Sequence, residues 1–244
     1  MIKSNGYFDI HAHILPGVDD GAADMKQTIR MLQMAASEQI TAIIATPHYI
    51  CGRENPNPEY LVELKCQVQE AALSINKDLR IFLGNEIYYS ESVVGDLRQG
   101  KALTLADSRY VLVEFSKGER FNAIYQGIRE LTRHGYIPIL AHAERYMCLH
   151  GKTDLIDELV KAGCYIQVNV GSIMGGIMNM NAAFVRKLIN RGLVHFIGSD
   201  SHNDGIRAPV MKTAVKHMLK RCNRENAWRI LHENPQKILE NTCI

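Results

Sequence analysis

Two periods alternate along the chain. Short apolar runs read as strands: the segment around Phe8–His13, Ile40–Thr46 stopped by Pro47 and running on to His48, Arg80–Glu86, residues 110–115, Ile137–His142, residues 164–170 and Val194–Ser199. Between them apolar residues fall three and four apart, as on one face of a helix. Asp24 stands three residues before Gln27, a capping-box spacing, and Met25, Ile29, Leu32 and Ala36 then form one stripe. Leu61, Leu64, Val68, Ala72 and Ile75 form the next, followed by a shorter helix near 91–99 and a third stripe of Ile124, Ile128 and Leu131. Helices over 153–162 and 182–191 and three closing helices near 209–221, 224–232 and 235–241 complete the pattern, and residues 49–58 (YICGRENPNP) are a turn-rich loop. No composition break or internal repeat interrupts the alternation, so residues 1–244 are expected to form a single domain.

Alternating strands and helices predict a parallel sheet. The strand ends narrow this further. They carry His11 and His13, His48, Glu86, Glu114, His142, and Asp200 with His202. A strand end borders the core and is a poor place for an unpaired charge. In a barrel of parallel strands such ends gather on one face, whereas an open doubly wound sheet concentrates its site at one switch point. Seven units with polar ends therefore predict a closed or nearly closed seven-stranded parallel (β/α) barrel with a shared partner for those side chains.

At 244 residues the chain is long enough for one core of barrel size, and its 46% hydrophobic and 22% charged content is ordinary for a globular protein. A net charge of +2 gives no reason to expect nucleic acid or an anionic membrane as partner. No apolar stretch is long enough to span a bilayer, and the leader before Asp9 has no apolar signal region and no inferred role, so a cytoplasmic location is expected. Cys51, Cys66, Cys148, Cys164, Cys222 and Cys243 are scattered without a C-x-x-C pair and read as reduced, partly buried thiols. The C-x5-R loop of thiol phosphatases, the G-x-S-x-G elbow and H-E-x-x-H are all missing. Gly151-Lys152-Thr153 resembles the tail of a P-loop, but Tyr146 stands where glycine is required.

What remains is metal chemistry. Residues i and i+2 of an extended chain point the same way, so His11 and His13 can reach one ion, and Asp200 and His202 repeat the spacing on the last strand. Asp19-Asp20-Gly21 lies in the loop before the first helix, where either carboxylate is a candidate donor and a turn or helix-start role is the plain alternative. Singly, His48, Glu86 or Glu114 reads as readily as a salt-bridge partner. Jointly, their repetition on one face calls for two or three ions with a bridging carboxylate. Nitrogen and carboxylate oxygen without thiolate suit Mn, Fe or Zn, and a cluster of this kind clamps the oxygens of an in-line displacement. His134, His150, His217, His232 and His195 read as outside the site, the last because it begins its strand at the opposite barrel end. Arg145 and Arg207 follow His142 and His202 closely and suggest a fork for an anionic ligand, most simply phosphate.

The stretches DIHAHILPGVDDGA, IIATPHY, GNEIYY, VLVEF, PILAHAERY and FIGSDSHN occur in this order over essentially the whole chain. They resemble the PHP superfamily of metal-dependent phosphoesterases, and more closely its bacterial manganese-dependent protein-tyrosine phosphatases of capsule and exopolysaccharide loci. The resemblance implies a distorted seven-stranded barrel of PHP type with three Mn ions. By that resemblance His11, His13, Glu86 and Asp200 hold the first ion, Glu86 bridges to a second held with Glu114 and His142, and Asp20, His48 and His202 hold the third. Asp20 is preferred to Asp19 by alignment with the family's D-D-G. Arg145 and Arg207 meet the phosphate, so the implied catalytic set is Glu86, His142, Asp200, Arg145 and Arg207. Ala143 stands where the family usually has proline and Tyr49 where a second histidine often follows, neither an expected donor position. The implied activity is a phosphoric monoester hydrolysis, removal of phosphate from phosphotyrosine by a metal-activated hydroxide, on a protein such as an autophosphorylated tyrosine kinase controlling polysaccharide export. The rivals are a small-molecule phosphatase such as a histidinol-phosphate phosphatase, and a non-catalytic metal-binding scaffold. The 49–58 loop, with Tyr49, Arg53 and Glu54, and Tyr146 opposite it, are expected as rim elements that admit the long phosphotyrosine side chain.

Overall fold

The computed structural model describes residues 6–174 and 179–244; the leader at residues 1–5 lies outside the described residues. Strands and helices alternate in the order β1 Tyr7–Ala12, α1 Met25–Ser37, β2 Ile40–Ala45, β3 His48–Ile50, α2 Pro58–Ile75, β4 Arg80–Leu83, β5 Glu86–Tyr88, α3 Val93–Arg98, β6 Tyr110–Glu114, α4 Phe121–Arg133, β7 Ile137–Leu140, α5 Thr153–Lys161, β8 Tyr165–Asn169, α6 Val170–Ile173, α7 Met180–Asn190, β9 Phe196–Gly198, α8 Lys212–Arg221, α9 Arg224–Trp228 and α10 Asn234–Glu240. A π-type turn, Arg229–Glu233, joins α9 to α10, so the last two helices expected from the sequence run on without a loop. Asp24 caps α1 by accepting from Gln27 N at 2.8 Å, while the Gln27 side chain accepts from Ala23 N at 2.8 Å, one residue farther back than a strict capping box.

Every strand pairing is parallel, as the alternation predicts, but the strands form two sheets, β1-β2-β4 and β3-β5-β6-β7-β8-β9, rather than one closed ring. Two of the expected strands break in the middle and cross from the first sheet to the second. The first break is at Thr46-Pro47. Pro47 has no N–H for a ladder bond, and the Thr46 side chain instead accepts from Ala12 N at 3.1 Å. The second is at Gly84-Asn85, where Asn85 donates to Pro47 O at 2.9 Å and accepts from Leu103 N at 2.8 Å. His48 and Glu86 therefore begin short strands instead of ending long ones, and they pair side by side in register. His48–Ile50 also takes the first residues of the loop expected at 49–58.

The two sheets meet at the other side through β1 and the chain after β9. Asp200 N donates to His11 O and His13 N donates to Ser201 O, each at 2.8 Å. One buried cluster gathers Ile10, Ile44, Leu112, Ile139 and Phe196 from strands of both sheets, with Ile238 of α10 packed among them. The larger cluster holds the helices on the strands through residues such as Leu32, Val68, Ile128, Ile156 and Leu188. Fully burying each such side chain contributes about 1.5–3 kcal/mol, and this gives the polar strand ends a stiff base.

Candidate metal centre

The donor atoms converge on the ends of β1, β6 and β7, the starts of β3 and β5, and the loops after β1 and β9. His11 Nε2 and His13 Nε2 lie 3.2 Å apart, and Glu86 Oε2 is 3.1 and 3.2 Å from them. Asp200 Oδ1 stands 3.7 Å from both nitrogens. The other Glu86 oxygen is 2.8 Å from His142 Nε2, which is 3.5 Å from Glu114 Oε2. His48 stands between groups: its Nδ1 is 3.2 Å from Glu86 and 3.5 Å from Glu114, and its Nε2 is 3.3 Å from Asp20. His202 Nε2 reaches the same Asp20 oxygen at 3.3 Å. Three sets each present one donor atom per residue within 4.8 Å of one another: His11, His13, Glu86 and Asp200; His13, Asp20, His48 and His202; and His48, Glu86 and Glu114.

Close packing was needed to bring these groups together. A side chain on Gly21 would come within 2.6 Å of His13 Cβ, and one on Gly198 equally close to His11 Cβ, so both glycines let flanking chain lie directly against β1. His142 and Asp200 adopt left-handed backbone conformations, with φ of 33° and 53°. That conformation is costly outside glycine and is held where surrounding structure fixes it, often at functional sites. The chain after Gly198 is no longer extended, yet Asp200 Oδ1 and His202 Nδ1 lie 3.6 Å apart; Asp200 also faces His11 and His13, and His202 faces Asp20.

A surrounding layer of hydrogen bonds fixes the imidazoles. Asp19, not Asp20, is buried behind the cluster and accepts from His13 Nδ1 at 2.7 Å, His48 N at 3.1 Å and Gly21 N at 2.9 Å. A carboxylate this close holds the His13 proton on Nδ1 and leaves Nε2 free to face the cluster. Gln167 Oε1 accepts from His142 N at 2.6 Å and lies 3.4 Å from His11 Nδ1. Its amide donates to Asn169, which in turn donates to Asp200 Oδ2 at 2.8 Å. Gln167 and Asn169 were missed in the sequence because β8 carries no charged or imidazole donor; their signal was two amides at alternate positions of an apolar strand, both buried.

The charges explain the need for cations. Burial opposes ionisation of Glu86, yet the charge and hydrogen bonds of His11, His13 and His142 hold its pKa well below the usual carboxylate value. Burial likewise disfavours protonated His13, but hydrogen bonds to Asp19 and Glu86 push its pKa up to about 10, and contacts with Glu114 and Glu86 lift that of His142 to about 9 against the same penalty. Burial and the charge of His13 push His202 down to about 4. Glu86 thus stays charged and draws positive charge into a largely buried cluster, a role that divalent ions can fill with the same nitrogen and oxygen atoms. Arg145 and Arg207 grip opposite oxygens of Asp200 at 2.9 and 3.0 Å, and each is more than a third exposed.

The remaining expectations divide. Among the five histidines read as outside the site, none belongs to a donor set. His195 is buried elsewhere, accepting from Ile166 N at 3.1 Å and packed on the Tyr165 ring. All six cysteines are free and none enters a donor set; Cys66 and Cys243 are exposed rather than partly buried. Tyr146 is no rim residue: it is fully buried, and its hydroxyl accepts from Phe115 N at 3.0 Å, a bond its ring could not make from the surface.

The family model described as capsular polysaccharide synthesis, CpsB/CapC, matches residues 7–240. The chain belongs to the CpsB/CapC family. It is 32% identical over 241 residues to the tyrosine-protein phosphatase CpsB of Streptococcus pneumoniae, covering 97% of this chain and 99% of that protein. It is 33% identical over 236 residues to the tyrosine-protein phosphatase YwqE of Bacillus subtilis, covering 97% and 92%. A crystal structure from work on YwqE and CpsB as metal-dependent tyrosine phosphatases superposes with a TM-score of 0.88 at 33% identity, over 97% of this chain and 96% of that one. A lactonase from Listeria monocytogenes shares the fold alone, with a TM-score of 0.60 at 12% identity over 97% and 95% of the two chains. Within the CpsB/CapC family, then, this chain gathers imidazoles and carboxylates around Glu86.

Proposed function

We propose that residues 1–244 form one PHP-type phosphoesterase domain that hydrolyses phosphotyrosine on a bacterial protein, a tyrosine autokinase of capsule or exopolysaccharide synthesis. The observation that carries this reading is the convergence of imidazoles and carboxylates around Glu86, with two arginines at its edge. The two sheets read as one distorted seven-stranded barrel, opened where Pro47 and Gly84 interrupt its strands. Of the described helices none is long and apolar enough to cross a membrane, and the cytoplasmic location expected from the sequence is part of this proposal.

The donor set fits Mn, with Fe or Zn chemically admissible. His11, His13, Glu86 and Asp200 would hold one ion, Glu86, Glu114 and His142 a second, and Asp20, His48 and His202 a third. Bound divalent ions supply Lewis acidity to phosphoryl oxygens and lower the pKa of water. The chain supplies the rest. Glu86 offers one oxygen to His11 and His13 and the other to His142, so it can bridge two positions. Asp200 holds Arg145 and Arg207 on either side of its carboxylate, poised to direct their remaining N–H groups at a phosphate. Spreading the charge of the phosphoryl oxygens is the main task of such a site, and a tyrosine leaving group with a pKa of about 10 departs more readily than an aliphatic alcohol. No nucleophilic side chain of the cysteine type is required.

The test compares hydrolysis of phosphotyrosyl peptide, phosphoseryl peptide and histidinol phosphate with added Mn, at equal concentrations below KM so that rates report kcat/KM. Phosphotyrosyl peptide is expected to be far the best substrate. Efficient turnover of histidinol phosphate with negligible action on the peptides would favour the metabolic rival and leave the metal site intact.

A further inference from the structure

A cleft of about 410 Å³ adjoins the donor cluster on the side of β8 and β9. Its lining includes Arg145, Arg207 and Asp200 together with Val170, Met174, Ala208 and Val210. Its size is usual for a small-ligand site, and Asn169, Ser172 and Ser199 stand among its apolar residues. Ile206 also borders it and is fully exposed. A single exposed isoleucine is unremarkable, but this one is held in place. His202 N donates to Arg207 O at 2.8 Å, Asn203 Oδ1 accepts from Gly205 N at 2.9 Å and Arg207 N at 3.1 Å, and Asp204 accepts from Gln27 of α1 at 2.9 Å. The loop that carries Ile206 therefore also carries Arg207, and fixes one relative to the other.

The opposite side of the site is different. Arg53 and Asn55 of the loop beyond β3, with Tyr49 of β3 and Lys101, line a separate cavity, and no residue of the donor sets borders it. Arg145 and Arg207 thus border the Val170–Val210 cleft and not the cavity of the 49–58 loop.

We propose that this cleft is the leaving-group subsite: the ring of an aryl phosphate lies along Val170, Met174, Ala208 and Val210, with Ile206 covering its outer edge, and this contact rather than the metal cluster sets the preference for aryl over alkyl phosphates. The inference rests on the phosphotyrosine reading and names the part of the chain that recognises the ring. Burying a flat ring against apolar walls is favourable in proportion to the area removed from water. An alkyl phosphate such as phosphoserine leaves those walls wet and gains only the arginine and cluster contacts. Inorganic phosphate has no substituent, so its binding reports those polar contacts alone.

Ala208→Phe fills the cleft and Ile206→Ser removes its apolar cover at a position that packs against nothing in the fold. Three quantities are measured in the Mn-loaded full chain: KM for a phosphotyrosyl peptide, the affinity by calorimetry for the same peptide carrying non-hydrolysable phosphonomethyl-phenylalanine, and the competitive inhibition constant of inorganic phosphate. Ala208→Phe is expected to raise KM and weaken the phosphonate peptide at least tenfold, and Ile206→Ser about threefold, while inhibition by phosphate stays within twofold of wild type. Unchanged peptide affinity in both variants would overturn the assignment, as would a rise in the phosphate constant that keeps pace with the peptide KM. Should Ala208→Phe not fold, Ile206→Ser decides alone by the same comparison. If the wild-type chain cleaves alkyl phosphates but no phosphotyrosyl peptide, the phosphotyrosine reading itself fails and the subsite falls with it, an outcome distinct from loss of discrimination in the variants.

Discussion

Asp19 is the residue whose removal most sharply separates support of the metal centre from direct ligation. Its side chain is buried and its two oxygens take three donors: His13 Nδ1 at 2.7 Å, His48 N at 3.1 Å and Gly21 N at 2.9 Å. Asp19→Asn keeps the shape but supplies only one accepting oxygen. Turned toward Gly21, the new amide points its own donors at His13 and His48; turned the other way, it points them at Gly21. Either orientation leaves a donor facing a donor and removes the charge that holds the His13 proton on Nδ1. Loss of a charge-assisted hydrogen bond at a buried position costs roughly 1.5–3 kcal/mol, so Mn affinity should fall about 10- to 100-fold, the range usual for groups behind a metal-binding histidine. Competition between the protein and a fluorescent chelator for Mn reads this directly, with thermal unfolding of the metal-free variant as the check on folding. Asp20→Asn provides the contrast: that carboxylate faces His48 and His202 at the exposed edge, so its loss should reduce the number of ions bound and leave the tightest one in place. A folded Asp19→Asn protein with wild-type Mn affinity would show that Asp19 only shapes the loop.

Other consequences follow from the same geometry. Glu86→Gln should lower both metal stoichiometry, measured by elemental analysis, and rate, since both Glu86 oxygens face imidazoles; full metal content with full activity would remove Glu86 from the centre. Arg145→Ala and Arg207→Ala should keep the metals but lose about ten- to a hundredfold in kcat/KM, and wild-type kinetics in both would reduce these arginines to surface ion pairs. Burial alone pushes the His195 pKa down to about 4, so the unfolded chain binds the extra proton between about pH 6.5 and that value. Its contribution is therefore complete above about pH 6.5 and is lost as pH falls toward 4, by about 2 kcal/mol between pH 7 and 5. Urea unfolding of metal-free protein should show this acid loss reduced in His195→Asn; equal losses in both proteins would refute it.

The donor residues were legible because each sits where an apolar run stops, and an imidazole or carboxylate there has few other uses. The strand count was less so. Ile40–His48 and Arg80–Glu86 read as single runs, since nothing in their apolar pattern distinguishes a continuous strand from one that crosses between sheets; only Pro47 and Gly84 hinted at the breaks. Asp19 and Asp20 are adjacent carboxylates, and it is the close approach of Gly21 to His13 that turns one inward and leaves the other facing His48 and His202. Gln167 and Asn169 carry no charge to draw notice, yet they link His11, His142 and Asp200 from a strand without a donor of its own. Tyr146 follows Arg145 directly and read as a rim residue, because sequence does not show which way a side chain turns after the left-handed step at His142.

If metal held by this cluster, and no thiol, drives phosphotyrosine hydrolysis, the rate on a phosphotyrosyl peptide should follow the metal. That rate is measured before chelation, after removal of divalent ions, after return of Mn, and after separate treatment with a thiol alkylator. Activity should be lost on stripping, recover with Mn and change little on alkylation, as no cysteine enters a donor set. Inactivation by the alkylator together with full activity after metal removal would contradict this.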